Sequence, residues 1–396
     1  MRLILSTLLF LPSITFGVLS AEIFPWAIIL SIFYVRKLAF SIALIILILL
    51  VSSFYSFYFY TTDTNISIDL MRSLATYLNV LFVSQYVLSL NKTQLFELIK
   101  LSKYFFFFLI LIGTLQLFGS GYLDVLLKFF IPRGSGQMLS DSGRGATLLS
   151  TEPARAGIEL TLIYMIYRLT LLKKSQFLVF DIFLLLFQLI VIKSASAVAF
   201  SLFFLGILNL SWRGLVFAPI IILAGLFAID YAGEGRAANL LIDIYAMDEI
   251  STVLFFLINE SGNRLLALYS FFNYGFQHLL GGGVGLWTIT SMQAVVESGY
   301  DYTQLRYFDV VSNGALSPFR GPGVISNLML DVGLLGTLLI SYLFSQILPL
   351  EKRISKISFS VIIIFLGKIF LFGSPGNPIP FLALLLILRW NEAKAN

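Results

Sequence analysis

Twelve apolar runs recur from one end of the chain to the other, at roughly residues 3–20, 23–35, 38–60, 71–90, 104–118, 156–172, 177–193, 195–210, 214–230, 322–347, 357–372 and 379–390. A helix crosses a bilayer core of about 30 Å with ~20 residues. Inside lipid no water is available to backbone amides, so such a run must close its own hydrogen bonds as a helix. Charged residues are 12% of the chain, about half the ~25% usual in soluble domains. The runs therefore predict an all-α fold: a polytopic integral membrane protein with about 12 transmembrane helices, forming one unit over residues 1–396. The opening "MRLILSTLLFLPSITFGVLSA" has the layout of a signal peptide. It is read here as a first membrane helix, because that makes the charge pattern self-consistent.

With a cytoplasmic N-terminus, the inner connections hold Arg2, Arg36, Lys37, Lys92, Lys100, Lys103, Arg168, Lys173, Lys174, Arg213, Lys352, Arg353, Lys356, Arg389 and Lys394. That is 15 of the 26 basic residues. The short outer connections near 21–22, 61–70 and 373–378 hold none. Lys and Arg collect in cytoplasmic loops, so both termini are expected inside. Two long stretches, 119–155 and 231–321, then lie outside. The second is rich in Phe, Tyr, Leu and Gly, which argues against disorder and for short helices on or dipping into the outer membrane face.

Those outer stretches carry Arg133, Arg144, Arg155, Arg236, Arg264, Arg306 and Arg320 but one lysine, Lys128, whereas the inner side has nine lysines and six arginines. A topology signal alone does not select arginine. Guanidinium is a planar, permanently charged fork that grips phosphate oxygens in pairs. The selection points to an outer site for an anionic ligand, most simply a lipid pyrophosphate. The plainer reading is that each arginine pairs with an outer acid such as Asp230, Glu234, Asp243 or Glu260.

Within "RGATLLSTEPARAGIEL" (144–160), Ser150 or Thr151 is placed to cap a helix and Pro153 suits its first turn. Glu152, Arg155 and Glu159 share one face by their spacing. Glu159 then lies roughly 10 Å deeper than Glu152 at 1.5 Å per residue, a depth where charge normally faces a polar cavity. The alternative is a self-satisfied Glu–Arg–Glu stripe. "SGNRLLALYSFFNYGFQHLLGGGVG" sets Arg264 ahead of Gly281, Gly282, Gly283 and Gly285, whose amides are candidates to cradle an anion. The plainer reading is a turn between two reentrant helices. "FRGPGVISNLMLDVGLLG" sets Arg320 at a helix entrance and Asp331 inside, lining the cavity or pairing with Lys368. "GYDYTQLRYFD" clusters tyrosines and acids near Arg306; such rings suit sugars, but interfacial aromatic belts look the same.

The candidate site is therefore Arg144, Arg155, Arg264, Arg320, Gly281, Gly283 and Asp331 for binding, with Glu152 and His278 as candidate catalytic residues. With one histidine and no cysteine, multi-histidine and thiolate metal sites and disulfides are excluded. The net charge of +5 is accounted for by the inner loops and does not call for nucleic acid.

As a whole layout the chain resembles bacterial O-antigen polymerases of the Wzy type: many membrane helices and two prominent periplasmic loops bearing arginines. "STEPARAG" at 150–157 resembles their first-loop helix entry, and Arg264 followed by ten residues and Gly275 is similar to an arginine–glycine spacing in their loops. "GGGVG" and "NLMLDVGLLG" resemble features shared with O-antigen ligases and C-type membrane glycosyltransferases. There are departures: the first loop lacks the spacing, and Pro322 stands near the place of a ligase histidine. The resemblance implies an inverting, metal-independent enzyme of the bacterial inner membrane. It would join undecaprenyl-pyrophosphate-linked oligosaccharides at the periplasmic face, with membrane lipids and a chain-length regulator as partners. Ligase, capsule polymerase and lipid-linked oligosaccharide flippase are the alternatives. A transporter usually shows paired halves, and none is visible. Arg155, Arg264 and Arg320 are expected to stabilise the departing diphosphate, and Glu152 to act on the attacking hydroxyl.

Overall fold

The computed structural model describes residues 6–11, 26–35, 37–59, 64–118, 145–171, 174–209, 243, 247, 249–260, 263–350, 354–372 and 375–395. Among these there are helices and turns and no strand. The expected helix at 214–230, most of that at 3–20, and the outer stretch through Arg144 lie outside the described residues.

The first half contributes α1 (Trp26–Tyr34), α2 (Phe40–Phe59), α3 (Thr64–Leu88) and α4 (Lys92–Phe118), then α5 (Pro153–Arg168), α6 (Lys174–Phe187) and α7 (Ala195–Asn209). A π-turn over Gln188–Ile192 extends α6. The second half has α8 (Ile250–Glu260), α9 (Asn263–Gln277), α10 (Trp287–Glu297), α11 (Arg306–Ser312), α12 (Val324–Gln346), α13 (Lys356–Leu371) and α14 (Pro378–Ala395). Among the described residues three stretches are long and apolar enough to cross a membrane: Phe40–Tyr58, Ser175–Ile192 and Val324–Gln346. Several other expected spans recur as shorter or more polar helices packed inside.

α5 is central. Every residue from Ala156 to Tyr167 is buried, Glu159 and Thr161 included, so this part of the helix has no solvent or lipid face. α14 is similarly buried over Ile379–Leu388. Around these two run α3, α4, α7 and α13. At Gly157 a side chain would strike Ala197 of α7; small residues let membrane helices approach closely.

Polar contacts sort the chain's connections into two groups. In one, Gln85 holds the Lys37 carbonyl (2.8 Å), Arg389 holds the carbonyls of Leu88 (2.8 Å) and Leu90 (3.0 Å), Lys92 reaches Ala393 (2.6 Å), and Asn391 reaches Ser355 (3.0 Å). In the other, Gln116 and Leu148 exchange two hydrogen bonds of 2.9 Å, Ala146 N–H donates to Val191 (2.8 Å), and Glu152 meets Arg264. The stretch 145–152 is thus pinned over the ends of α4 and α6.

α9 and α10 form a hairpin beside the first half of α12. Asn273 Nδ2 donates to the Glu297 carbonyl (3.0 Å) between the two legs. Phe271, Tyr274, Val295, Phe308, Phe319 and Leu330 bury against one another beneath it. The Gly281–Gly285 tip lies against α2, α3 and the middle of α12, at Ser56, Leu70 and Asp331. There α12 breaks at Gly333, whose φ of 68° and ψ of −171° is a conformation open essentially to glycine alone. The break frees carbonyls, and the hairpin tip takes them. Gly282 N–H donates to Leu330 and Gly283 N–H to Asp331, both at 2.9 Å, while Leu335 N–H donates to Leu279 at 3.1 Å.

Candidate functional site

Arg320 stands just before α12 in a turn clamped from two sides. Phe319 N–H donates to Ser291 Oγ of α10 (3.3 Å), and Asn327 Nδ2 donates to the carbonyls of Gly321 (2.8 Å) and Gly323 (2.6 Å). Gly323 has a φ of 81° and lies against the Ile369 carbonyl of α13. Held this way, Arg320 hydrogen-bonds Ser73 Oγ of α3 and lies 5.1 Å from the ring centre of Trp287, the first residue of α10. Its charge acts on Asp69, Tyr77 and Asp331. Three elements from distant parts of the sequence thus meet at one guanidinium.

Asp331 lies seven residues into α12, about 10 Å along the axis at 1.5 Å per residue. It is 3% exposed. Tyr77 OH donates to its Oδ2 at 2.7 Å, and its Oδ1 has no hydrogen-bond partner among the described residues. The expected pairing of Asp331 with Lys368 does not occur. Lys368 Nζ is 3.5 Å from Glu159 Oε1, both residues being buried. Glu159 also accepts from Asn377 Nδ2 and, at 2.5 Å, from Ser150 Oγ. Glu159 is therefore a bonded strut between α5, α13 and the start of α14, not the wall of a cavity. Ser150 does not cap α5: the N-cap is Glu152, which makes no capping bond, with Pro153 following as expected.

Glu152 and Arg264 were assigned separate tasks by their sequence positions; they bond each other, Nη2 to Oε2 at 2.7 Å, at a half-exposed place. Arg264 also lies 5.1 Å from the Phe372 ring centre. Glu152, expected to act on the attacking hydroxyl, thus has a guanidinium as its partner. The pair links α9 to the mouth of α5. Arg155 is half-buried on the first turn of α5, so the Glu152–Arg155–Glu159 stripe is split: Glu152 turns to Arg264 and Glu159 to Lys368. Arg306 pairs with Glu260 at 2.9 Å, the plainer of the two expectations. Arg144 lies outside the described residues.

The glycine cradle is also corrected. The N–H of Gly281 donates to His278 (2.8 Å), and those of Gly282 and Gly283 to α12, so these amides are committed to the fold. A side chain at Gly281 would meet Gly333 N at 2.5 Å and Asp331 C at 2.7 Å, which is why the chain needs glycine there. His278 Nε2 is 2.9 Å from Glu297 Oε2 and its ring stacks on Tyr274 at 4.2 Å; this is a bonded histidine of the hairpin.

Sequence reasoning missed Ser73, Tyr77 and Trp287. Tyr77 sits in an apolar run among several other polar residues, Ser73, Thr76 and Asn79, that do not mark it out, and Trp287 reads as one more interfacial aromatic. The chain matches no family model, no curated protein and no solved structure.

Proposed function

We propose that this chain is a membrane glycosyltransferase of the O-antigen polymerase kind. It would have about 12 transmembrane helices in the bacterial inner membrane and both termini cytoplasmic. Its substrates are two oligosaccharides carried on undecaprenyl pyrophosphate. A hydroxyl of one attacks the anomeric carbon of the other, the bond to phosphate breaks, and undecaprenyl pyrophosphate leaves. The observation that carries this reading is the Arg320 centre: a guanidinium lying by the Trp287 ring, fixed by Ser73, with the Asp331 carboxylate below it. An aromatic face suits a sugar ring, a guanidinium suits a diphosphate, and a preorganised cation stabilises charge that develops as the bond breaks. Arg264, partly exposed beside Glu152, is a second cation at the entrance.

The broken α12 bears on the transporter alternative, since transporters use unwound carbonyls to hold coupling ions. Here the freed carbonyls of Leu330 and Asp331 already accept from Gly282, Gly283 and Ser52, which favours the enzyme. The test is purified protein in lipid nanodiscs given a lipid-linked repeat unit, with product resolved by length. Wild-type protein should form a ladder, and Arg320→Ala should lower its rate by about 10²–10³-fold, the loss seen when one transition-state donor is removed. A full ladder from Arg320→Ala would defeat the proposal.

A further inference from the structure

Arginines stabilise the leaving group but leave one requirement unmet. The attacking hydroxyl carries a proton that must go somewhere, and the two residues first in line for it bond partners other than Arg320: Glu152 bonds Arg264, and His278 bonds Glu297. Asp331 differs from them. It is nine-tenths buried and more, yet one of its two oxygens has no partner among the described residues. Buried carboxylate oxygens are costly to leave unbonded, so such an atom calls for an explanation.

The surroundings fix this oxygen in place. Tyr77 OH holds Oδ2 at 2.7 Å. The backbone carbonyl of the same residue accepts from Gly283 N (2.9 Å) and Ser52 Oγ (3.1 Å), and Ser52 Oγ in turn accepts from Val284 N (3.1 Å). α12 breaks two residues later, at Gly333. A carboxylate held on its other oxygen, its backbone and its helix turn has its remaining lone pairs aimed by the fold. Arg320, whose field reaches it, is the same guanidinium that faces Trp287.

Resting on the polymerase reading above, we infer that Asp331 is the general base of the transfer and Tyr77 the residue that positions it. Asp331 Oδ1 takes the proton of the attacking saccharide hydroxyl. The oxygen of that saccharide hydroxyl forms its bond to the anomeric carbon of the donor as the bond from that carbon to the phosphate oxygen breaks. The electron pair departs with undecaprenyl pyrophosphate beside Arg320, and the proton on Asp331 passes to water before the next turnover. Tyr77 contributes by occupying Oδ2, so that Oδ1 alone is left to take the proton.

The experiment uses the full chain in nanodiscs, a lipid-linked repeat unit, and two nucleophiles: the repeat unit's own hydroxyl, and azide, an anion with no proton to lose. Asp331→Asn is expected to lower kcat for polymer by about 10²–10⁴-fold, the usual worth of a general base. It should leave KM for the lipid-linked donor within about threefold, because ground-state binding is not removed. Glycosyl azide should form in Asp331→Asn at the wild-type rate. Tyr77→Phe should lower kcat for polymer by less than Asp331→Asn does and leave azide transfer intact. Polymer from Asp331→Asn at the wild-type rate overturns the assignment. So does loss of azide transfer together with polymer, since that outcome marks a structural residue. Wild-type protein that forms neither product overturns the polymerase reading itself, and this inference with it.

Discussion

Glu152 and Glu159, seven residues apart on one segment, meet opposite fates. Glu159 is 1% exposed and shares its carboxylate among Lys368, Asn377 and Ser150. Removing one partner of a buried pair leaves the other charge uncompensated, so Glu159→Ala should destabilise the protein by about 3–5 kcal/mol. Glu152 meets Arg264 where water reaches both. An exposed pair contributes about 0.2–1 kcal/mol, so Glu152→Ala should hardly shift stability. Thermal unfolding of both variants in one detergent checks the contrast, and equal shifts would mean that the Lys368 pair is not the strut it is taken for. The sequence made both carboxylates visible as charges at the mouth of an apolar helix. It did not show which partners, more than a hundred residues away, each would find. The mistaken pairing of Asp331 with Lys368 has the same origin: two polar residues in apolar helices invite a match, and only the helix arrangement decides it. Arg320 was legible because it stands at the entrance of an apolar run; Tyr77 was not, because nothing sets its hydroxyl apart from those of Ser73 and Thr76 nearby.

At the scale of the element, α12 is the informative case. "VISNLMLDVGLLGTLLISYLFSQ" reads as one unbroken span, and the break at Gly333 has no local signature beyond a glycine that helices tolerate. "GGGVG" likewise reads as a weak anion motif or a turn. Each is explained by the other: the tip lends its amides where the helix ladder is interrupted, and every glycine involved sits where a side chain would strike backbone or a neighbouring helix. The backbone angles of Gly333 cost a residue with a side chain about 1–3 kcal/mol. A side chain there would also run into the carbonyls of His278 and Leu279. Gly333→Ala should therefore destabilise by at least about 2 kcal/mol, whereas Gly299→Ala, with open space around it, bears only the cost of its positive φ. Chemical denaturation of the two variants side by side measures the difference; equal losses would remove the packing argument.

For the whole molecule, the apolar runs marked most of the described helices, because a span of lipid-compatible length is a property of composition alone. Sidedness is a separate matter. The residues expected inside gather through Gln85, Arg389, Lys92 and Asn391, and the site residues gather through Gln116, Glu152 and Arg320. Composition did not show how α5 and α14 come to fill the middle. With the polymerase orientation, a periplasm-active phosphatase fused after residue 250 should be active and one fused after residue 353 silent; the reverse pattern would turn the protein over. The shared hydrogen bonds between the glycine tip and α12 carry one more consequence. A hairpin that supplies part of another helix's ladder is not a lid, because it has no position of its own to swing to. The glycine tip and α12 move as one piece, and any shift that tilts α12 carries the tryptophan and the arginine turn along with it.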